Sequence, residues 1–487
     1  MNVVAVIISA VVAAATSVHL PVAAAGPQAQ SEIDRALFFY YAYNGDAAAQ
    51  TFAQVTVRDP RLAMGYWGIA LAKGPDLNTP ITQERFAAGQ QAIARAVALE
   101  SSLSPDNRGL ITAMQLRYKG SFADWQDDDT AYRHAMVSLA ERSADRNVRL
   151  LTAEALIETG GLTWNSSAPL SLETQDALTL VEGVLRDDPT NPMANHLCLH
   201  LYDLAPQREA ALKCAQRLDA ADFPAQAEHL AHMPAHYWTE TGNYTAAIAS
   251  SERAYTLMQQ LNTSGSDPQH TDRYVNHDIA VGYAAAMMLG NYSVARQWAQ
   301  RMAAGLDTSF DALTALRFGD YAGAYAATGN QYGGPAVRGL AALQLQNTSE
   351  ARAIAADLMK NGPPRRGYLP QLFLARLAEA DGNDREAERW LEAAIANQRA
   401  DYSGEIIPYV PAGEALGALY LRRGANAQAI DAFNATLQTY PDDPRALYGL
   451  AAAMAADGQE AQAAATRAHF EKEWKGADVT MDAAALL

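Results

Sequence analysis

The chain has 487 residues, and 37 Lys+Arg against 54 Asp+Glu give it a net charge of −17 and a pI near 5.0. An acidic surface repels phosphate backbones and the sequence has no basic stripe, which excludes a general nucleic-acid binder. With 49% hydrophobic and 19% charged residues the chain is also not intrinsically disordered, and its length requires a search for repeats before domains are counted.

Residues 3–16 form an apolar run, followed by Pro21 and Ala23-Ala24-Ala25. This reads as a secretory signal over 1–25 with a cut near Ala25/Gly26, although no Lys or Arg precedes the run. A buried N-terminal helix or an uncleaved anchor is the alternative. No later stretch has 18 uninterrupted apolar residues, so no membrane span is expected once the leader is removed, and the expected location is periplasmic or secreted.

Three segments repeat one spacing: Ala48-x3-Phe52-x7-Pro60, Ala177-x3-Val181-x7-Pro189 and Ala429-x3-Phe433-x7-Pro441. Small Ala lets two helices approach, the larger residue one turn on fills the groove, and Pro ends the unit. Gly424 and Gly458 mark turns 34 residues apart, the tetratricopeptide (TPR) period. β-branched residues alternate nowhere over a long run, so the expected fold is an all-α, TPR-like α-solenoid of antiparallel helix pairs. The expected divisions are a helical domain over 26–402, with a His-rich core at 190–290, and C-terminal TPR units over 403–487.

Export places Cys198 and Cys214 in an oxidising compartment. They lie eight residues to either side of Pro206 in a helix-turn-helix segment, which predicts a disulfide stapling the hairpin; two separate buried thiols are the alternative.

Seven of the ten histidines fall between 196 and 277. His196 and His200 are spaced i, i+4, and His229, His232 and His236 i, i+3, i+7, so each set projects from one helix face. Neutral imidazole is the commonest ligand for Zn, Cu, Fe and Ni, and burying so many rings without a shared partner is costly. His277 would complete the set, with Asp203, Glu240 and Asp278 orienting ring N–H groups, while His270 sits in a polar loop. His19, His134 and His469 stand alone and read as structural, as do Met233, Met287 and Met288. Pro234 interrupts the second His helix. Tyr66, Trp67, Tyr202, Tyr237 and Trp238 are candidates for a pocket wall, each otherwise a packing aromatic. The sequence has no phosphate loop, Gly-x-Ser-x-Gly, His-Glu-x-x-His or Cys-x-x-Cys-His, which disfavours nucleotide chemistry, serine hydrolysis, standard zinc proteolysis and c-type haem.

The blocks Ala63-Met64-Gly65-Tyr66-Trp67-Gly68, Gly74-Pro75-Asp76-Leu77-Asn78, Asn195-His196-Leu197-Cys198-Leu199-His200, His229-Leu230-Ala231-His232-Met233-Pro234-Ala235-His236 and Tyr274-Val275-Asn276-His277-Asp278 resemble a broad group of bacterial TPR proteins. Members of that group carry H-x-Y-I-H and H-L-x-H-M-P-S-H-I motifs in the same order. The resemblance covers roughly residues 36–300 and implies that His196, His200, His229, His232, His236 and His277 share one site. Gly45, where relatives often carry His, Cys198 and Asp278 depart from the pattern. Six imidazoles and export favour copper over zinc or iron. The expected protein is an exported metalloprotein oxidising a small organic substrate with O2. The alternatives are a periplasmic interaction module that takes a protein partner on its concave face, or a metal carrier without catalysis.

Overall fold

The computed structural model describes residues 18–23, 25–99, 103–160, 170–203, 205, 207–263, 268–303, 309–327, 333–360, 362, 364, 367–401 and 408–481. Among these residues every regular element is helical. The apolar run at 3–16, the Pro206 turn and the expected boundary at 402/403 lie outside the described residues.

The chain divides into two compact units, Met1–Tyr237 with Arg253–Val275 and Trp238–Glu252 with Asn276–Leu487. The first is built from α1 (Pro27–Tyr41), α2 (Gly45–Arg58), α3 (Ala63–Lys73), α4 (Gln83–Val97), α5 (Pro105–Arg117), α6 (Trp125–Ala140), α7 (Arg146–Gly160), α8 (Leu172–Asp187), α9 (Pro192–Tyr202) and α10 (Leu212–Asp219). The division falls inside α11 (Glu228–Glu240), α12 (Tyr244–Thr263) and α13 (Pro268–Met288). The second unit continues through α14 (Tyr292–Ala303), α15 (Ser309–Arg317), α16 (Tyr321–Ala327), α17 (Gly334–Gln344), α18 (Thr348–Leu358), α19 (Tyr368–Ala380) and α20 (Asp384–Asp401). It ends with α21 (Ala412–Arg422), α22 (Asn426–Thr439), α23 (Pro444–Ala456) and α24 (Glu460–Glu473).

Local signals set the helix starts. Asn44, Thr82, Ser104, Ser171 and Asn191 each accept a first-turn N–H as N-cap, and Pro105 and Pro192 occupy the first turn where a missing N–H costs nothing. Gly424 (φ 72°) and Gly458 (φ 78°) supply the left-handed turns of the C-terminal pairs. Consecutive helices pack against each other, and each unit is a TPR-like α-solenoid stack of helix pairs.

The repeated Ala/Phe/Pro spacing works as expected. Ala48, Ala177 and Ala429 are fully buried. Phe52 fills the space over Gly68, where an added Cβ would sit 2.2 Å from its ring. Phe433 is held the same way between Gly417 and Gly449, with distances of 2.6 and 2.2 Å. Each Gly lets an aromatic ring close the helix pair at van der Waals contact.

Cys198 on α9 and Cys214 on α10 are disulfide-bonded, with Cα atoms 6.4 Å apart. The bond anchors the helix that carries His196 and His200.

Residues 18–22 form an extended strap in the first unit. Val18, Leu20 and Val22 are buried. The strap backbone is held by Leu20 N–H on Asp34 (3.1 Å) and Val22 N–H on Gln30 (2.9 Å). Asn107 donates to Pro21 O (3.0 Å) and Asn147 to His19 O (2.8 Å). A cut between Ala25 and Gly26 would remove this buried segment.

The second unit buries a network of two arginines and two acidic residues. Arg317 binds both Glu414 oxygens (2.6 and 2.7 Å), Arg445 donates to the carbonyls of Met287 and Met288 that end α13 (3.2 and 3.1 Å), and Asp443 caps α23. Two guanidiniums face two carboxyl groups, and the helix C-terminus takes further donors, while Arg445 Nε and Asp443 Oδ2 are buried without a hydrogen-bond partner among the described residues. Among the described residues no helix is long and apolar enough to cross a membrane.

Candidate metal centre

Three elements of the first unit converge on one group of imidazoles. Helix α9 supplies His196 and His200, α11 supplies His229, His232 and His236, and the α1–α2 turn supplies Tyr43. His196, His229 and His232 are fully buried, and His200 and His236 are 8% exposed. One ligand nitrogen from each of His196, His200 and His229 lies within 4.8 Å of the others.

The ring of His196 is fixed in one role. Its Nδ1 is 2.9 Å from Tyr41 O, and a carbonyl only accepts, so Nδ1 carries the proton and Nε2 presents its lone pair. His200 Nε2 faces that atom at 3.1 Å, and His232 and His236 repeat the arrangement with Nε2 atoms 2.9 Å apart. Two nitrogens bound to one copper or zinc ion at about 2.0–2.1 Å stand roughly 2.9–3.4 Å apart at tetrahedral to square angles. Both pairs have that bite. Burial pushes the His196 pKa down to about 4, so this imidazole is neutral, as a metal ligand must be, at neutral pH.

Tyr43 packs on all three imidazoles of the first group. Its ring centroid is 4.3 Å from that of His196, 5.8 Å from His200 and 5.5 Å from His229, near-parallel to the last two. The residue has φ 55°, an unusual backbone for a bulky side chain, held by Tyr43 N–H on Tyr40 O at 2.8 Å. Asn78 Nδ2 approaches His229 Nε2 at 3.5 Å, which ties the Gly74–Thr79 loop to the centre.

His277 is half-buried on α13 and belongs to the second unit, as do Trp238 and the buried Glu240 and Asp278. Asp203 C-caps α9, its N–H on Leu199 O at 2.9 Å. Trp67 is a core residue with its edge against Phe52, and Tyr66 is half-buried beneath Arg95. Tyr202 donates to Glu182 at 2.6 Å, and Tyr237 is buried. Met233, Met287 and Met288 are core residues, and the side chain of His270 lies outside the described residues. His19 pairs with Asp34 (2.8 Å), His134 is exposed, and His469 stands in a half-buried group with Asp442 and Glu473.

Sequence reasoning passed over Tyr43 and Tyr41, and it quoted Asn78 in the Gly74–Asn78 block without giving it a place in the site. The run Phe38-Phe39-Tyr40-Tyr41-x-Tyr43 was the available signal, since five aromatics in six residues exceed what one amphipathic face needs.

No family model and no curated protein matches the chain. Among solved structures it is similar to the crystal structure of the APC/C hetero-tetramer Cut9-Hcn1, at 12% identity over 83% of this chain and 93% of that chain, with a TM-score of 0.30. A similarity of that size carries no functional argument.

Proposed function

We propose that the first unit is a metal-binding centre on a TPR-like scaffold, with His196, His200 and His229 holding one transition-metal ion, copper ahead of zinc or iron. The observation that carries this is the His196–His200 pair. Tyr41 O holds the proton on His196 Nδ1, and the two Nε2 atoms face each other at 3.1 Å with a third imidazole beside them. An ordinary imidazole hydrogen bond has a similar span, but it needs no third ring. His232 and His236 offer a second pair of the same bite, and His277 completes the ligand set of the sequence reading.

The bound ion would supply Lewis acidity or electron transfer. The chain's own part is to hold neutral rings in one tautomer, with Tyr43 stacked on them and bulk water excluded by burial. Oxidation of a small organic substrate with O2, export, and kinship with the bacterial TPR group bearing H-x-Y-I-H and H-L-x-H-M-P-S-H-I blocks extend this proposal. Metal carriage without turnover is its simpler form. The second reading, a module that binds a protein partner, is favoured by the paired-helix architecture and leaves the histidines as a buried hydrogen-bond network.

Metal analysis of the purified full chain tests the proposal. About one equivalent of copper in the wild type, falling below about 0.2 in His196→Ala/His229→Ala, is expected. A wild-type chain that takes up no transition metal supports the partner-binding reading instead. Oxygen consumption by the loaded chain with phenols or amines then separates an oxidase from a carrier.

A further inference from the structure

The extended strap at 18–22 is received by polar side chains from three helices of the first unit. Val18, Leu20 and Val22 are buried while His19 and Pro21 are exposed, the alternation of an extended chain. Toward α1, Leu20 N–H donates to Asp34 Oδ1 (3.1 Å), Gln30 Nε2 donates to Leu20 O (2.8 Å) and Val22 N–H donates to Gln30 Oε1 (2.9 Å). Asn147 on α7 donates to His19 O (2.8 Å) and Asn107 on α5 to Pro21 O (3.0 Å). Ala25 N–H closes a turn on Val22 O at 2.9 Å, and Pro21 has no N–H to satisfy. Every backbone polar group from His19 O to Val22 O is therefore paired.

The receiving side chains are built into the fold. Asn107 and Asn147 stand in the first turns of their helices, where Ser104 Oγ accepts Asn107 N–H (3.2 Å) and Asp145 Oδ1 accepts Asn147 N–H (2.7 Å). Both asparagines are buried, so without the strap their amide N–H groups would lose their acceptors in the interior. The loss would also reach the imidazoles. Asn147 Oδ1 accepts the Tyr41 O–H at 2.9 Å, and Tyr41 O is the acceptor that fixes the proton of His196.

A leader peptidase breaks the bond after a small-x-small sequence such as Ala-x-Ala. Ala23 and Ala25 meet this before Gly26, Ala13 and Ala15 before Thr16, and Ala15 and Ser17 before Val18. The first of these cuts removes the strap. The last puts the new ammonium on Val18, a fully buried residue, where desolvating a charge is costly. We infer that export processing cuts the Ala15–Thr16 bond, and that the exported protein keeps residues 18–25 as part of its first unit. The peptidase adds one water across that amide, leaving a carboxylate on Ala15 of the leader and an ammonium on Thr16, two positions before the buried segment. The apolar run Val3–Val12 ahead of the cut falls within the range of about 7–15 residues of a leader core. The inference rests on the export part of the proposal above and does not depend on a metal.

Expression of the full chain in a Gram-negative bacterium, followed by N-terminal sequencing and intact-mass measurement of the periplasmic and whole-cell protein, tests this. The expected first residue is Thr16. Ala15→Leu puts a bulky side chain directly before the bond and is expected to abolish the mature species and accumulate the uncut chain. Ala25→Leu is expected to leave the first residue unchanged. A first residue of Val18 or Gly26, or normal processing of Ala15→Leu, would overturn the inference. A chain that stays whole overturns it together with the export reading, whereas a cut before Gly26 overturns it and leaves export standing, so the two failures are told apart. Mass and terminal sequence are read whether or not a variant folds.

Discussion

Each unit of this protein buries arginines and carboxylates, and the two networks are built differently. In the second, Arg317 and Arg445 face Glu414 and Asp443, and Arg445 Nη1 also donates to the carbonyls of Met287 and Met288. In the first, Arg117 meets Asp129 and Glu158, while Glu154 and Asp76 add carboxyl groups that it does not reach. In the second unit two guanidiniums stand against two carboxyl groups and tie helices together, although Asp443 Oδ2 and Arg445 Nε are buried without a hydrogen-bond partner among the described residues. In the first unit carboxyl groups outnumber the buried guanidinium, and burial with the neighbouring carboxylates raises the pKa values of Glu154 and Glu158 so that they hold protons.

The comparison can be broken at several points. The largest effect is expected from the strap that braces the first network through Asp34 and Gln30 on α1 and Asn147 on α7. Deleting residues 1–25 removes three buried aliphatic side chains and is expected to destabilise the first unit by about 5 kcal/mol relative to deletion of residues 1–17. Equal denaturation midpoints for the two truncations would show that the strap contributes nothing.

Arg317→Met leaves Glu414 buried without its partner and should destabilise by about 3–5 kcal/mol, most of it recovered in Arg317→Met/Glu414→Leu. Denaturant titration of both variants decides this, and a single variant as stable as the wild type would mean that the second network is not the closed pair described here. Cys214→Ser opens a loop of 16 residues and should cost about 3 kcal/mol. Because Cys198 lies between His196 and His200, copper uptake should fall with it. Unchanged uptake would separate the staple from the metal centre.

The smallest effect depends on pH. Glu154 is raised to about 8 in the folded chain from an ordinary 4.5, so its proton stabilises the fold fully below pH 4.5 and that contribution is lost as the pH rises through 8. Glu154→Gln does not titrate. Relative to wild type it should gain stability steadily between pH 4.5 and 8, on the order of 2 kcal/mol at the upper end. Thermal melts across that range would contradict the excess-acid description if the two curves ran parallel.

Much of the fold was legible because it follows short-range rules. The Ala48/Phe52 and Ala429/Phe433 spacings announced helix pairs, the glycines at 424 and 458 announced their turns, and an even pair of cysteines flanking a turn announced the disulfide. Part of the site was legible for the same reason, since i, i+4 spacing puts His196 with His200 and His232 with His236. Tyr43 was not, because its contact with the imidazoles depends on a left-handed turn that a tyrosine rarely adopts. Of the five proposed wall aromatics, Trp67 instead packs in the core with Phe52, because its place depends on how α2 and α3 pair.

The sequence by itself determined the all-α class, the pairing of helices, the cysteine bridge and the faces on which the histidines stand, because each depends on residues within a few turns of one another. Tertiary structure alone decided which nitrogen of His196 is free, through the carbonyl of Tyr41, 155 positions away. It also decided that Asp76, Glu154 and Glu158 share one buried space with a single fully buried arginine. Charge balance is a property of a volume rather than of a stretch of chain, and the volume exists only once α1, α5, α6 and α7 have packed around it.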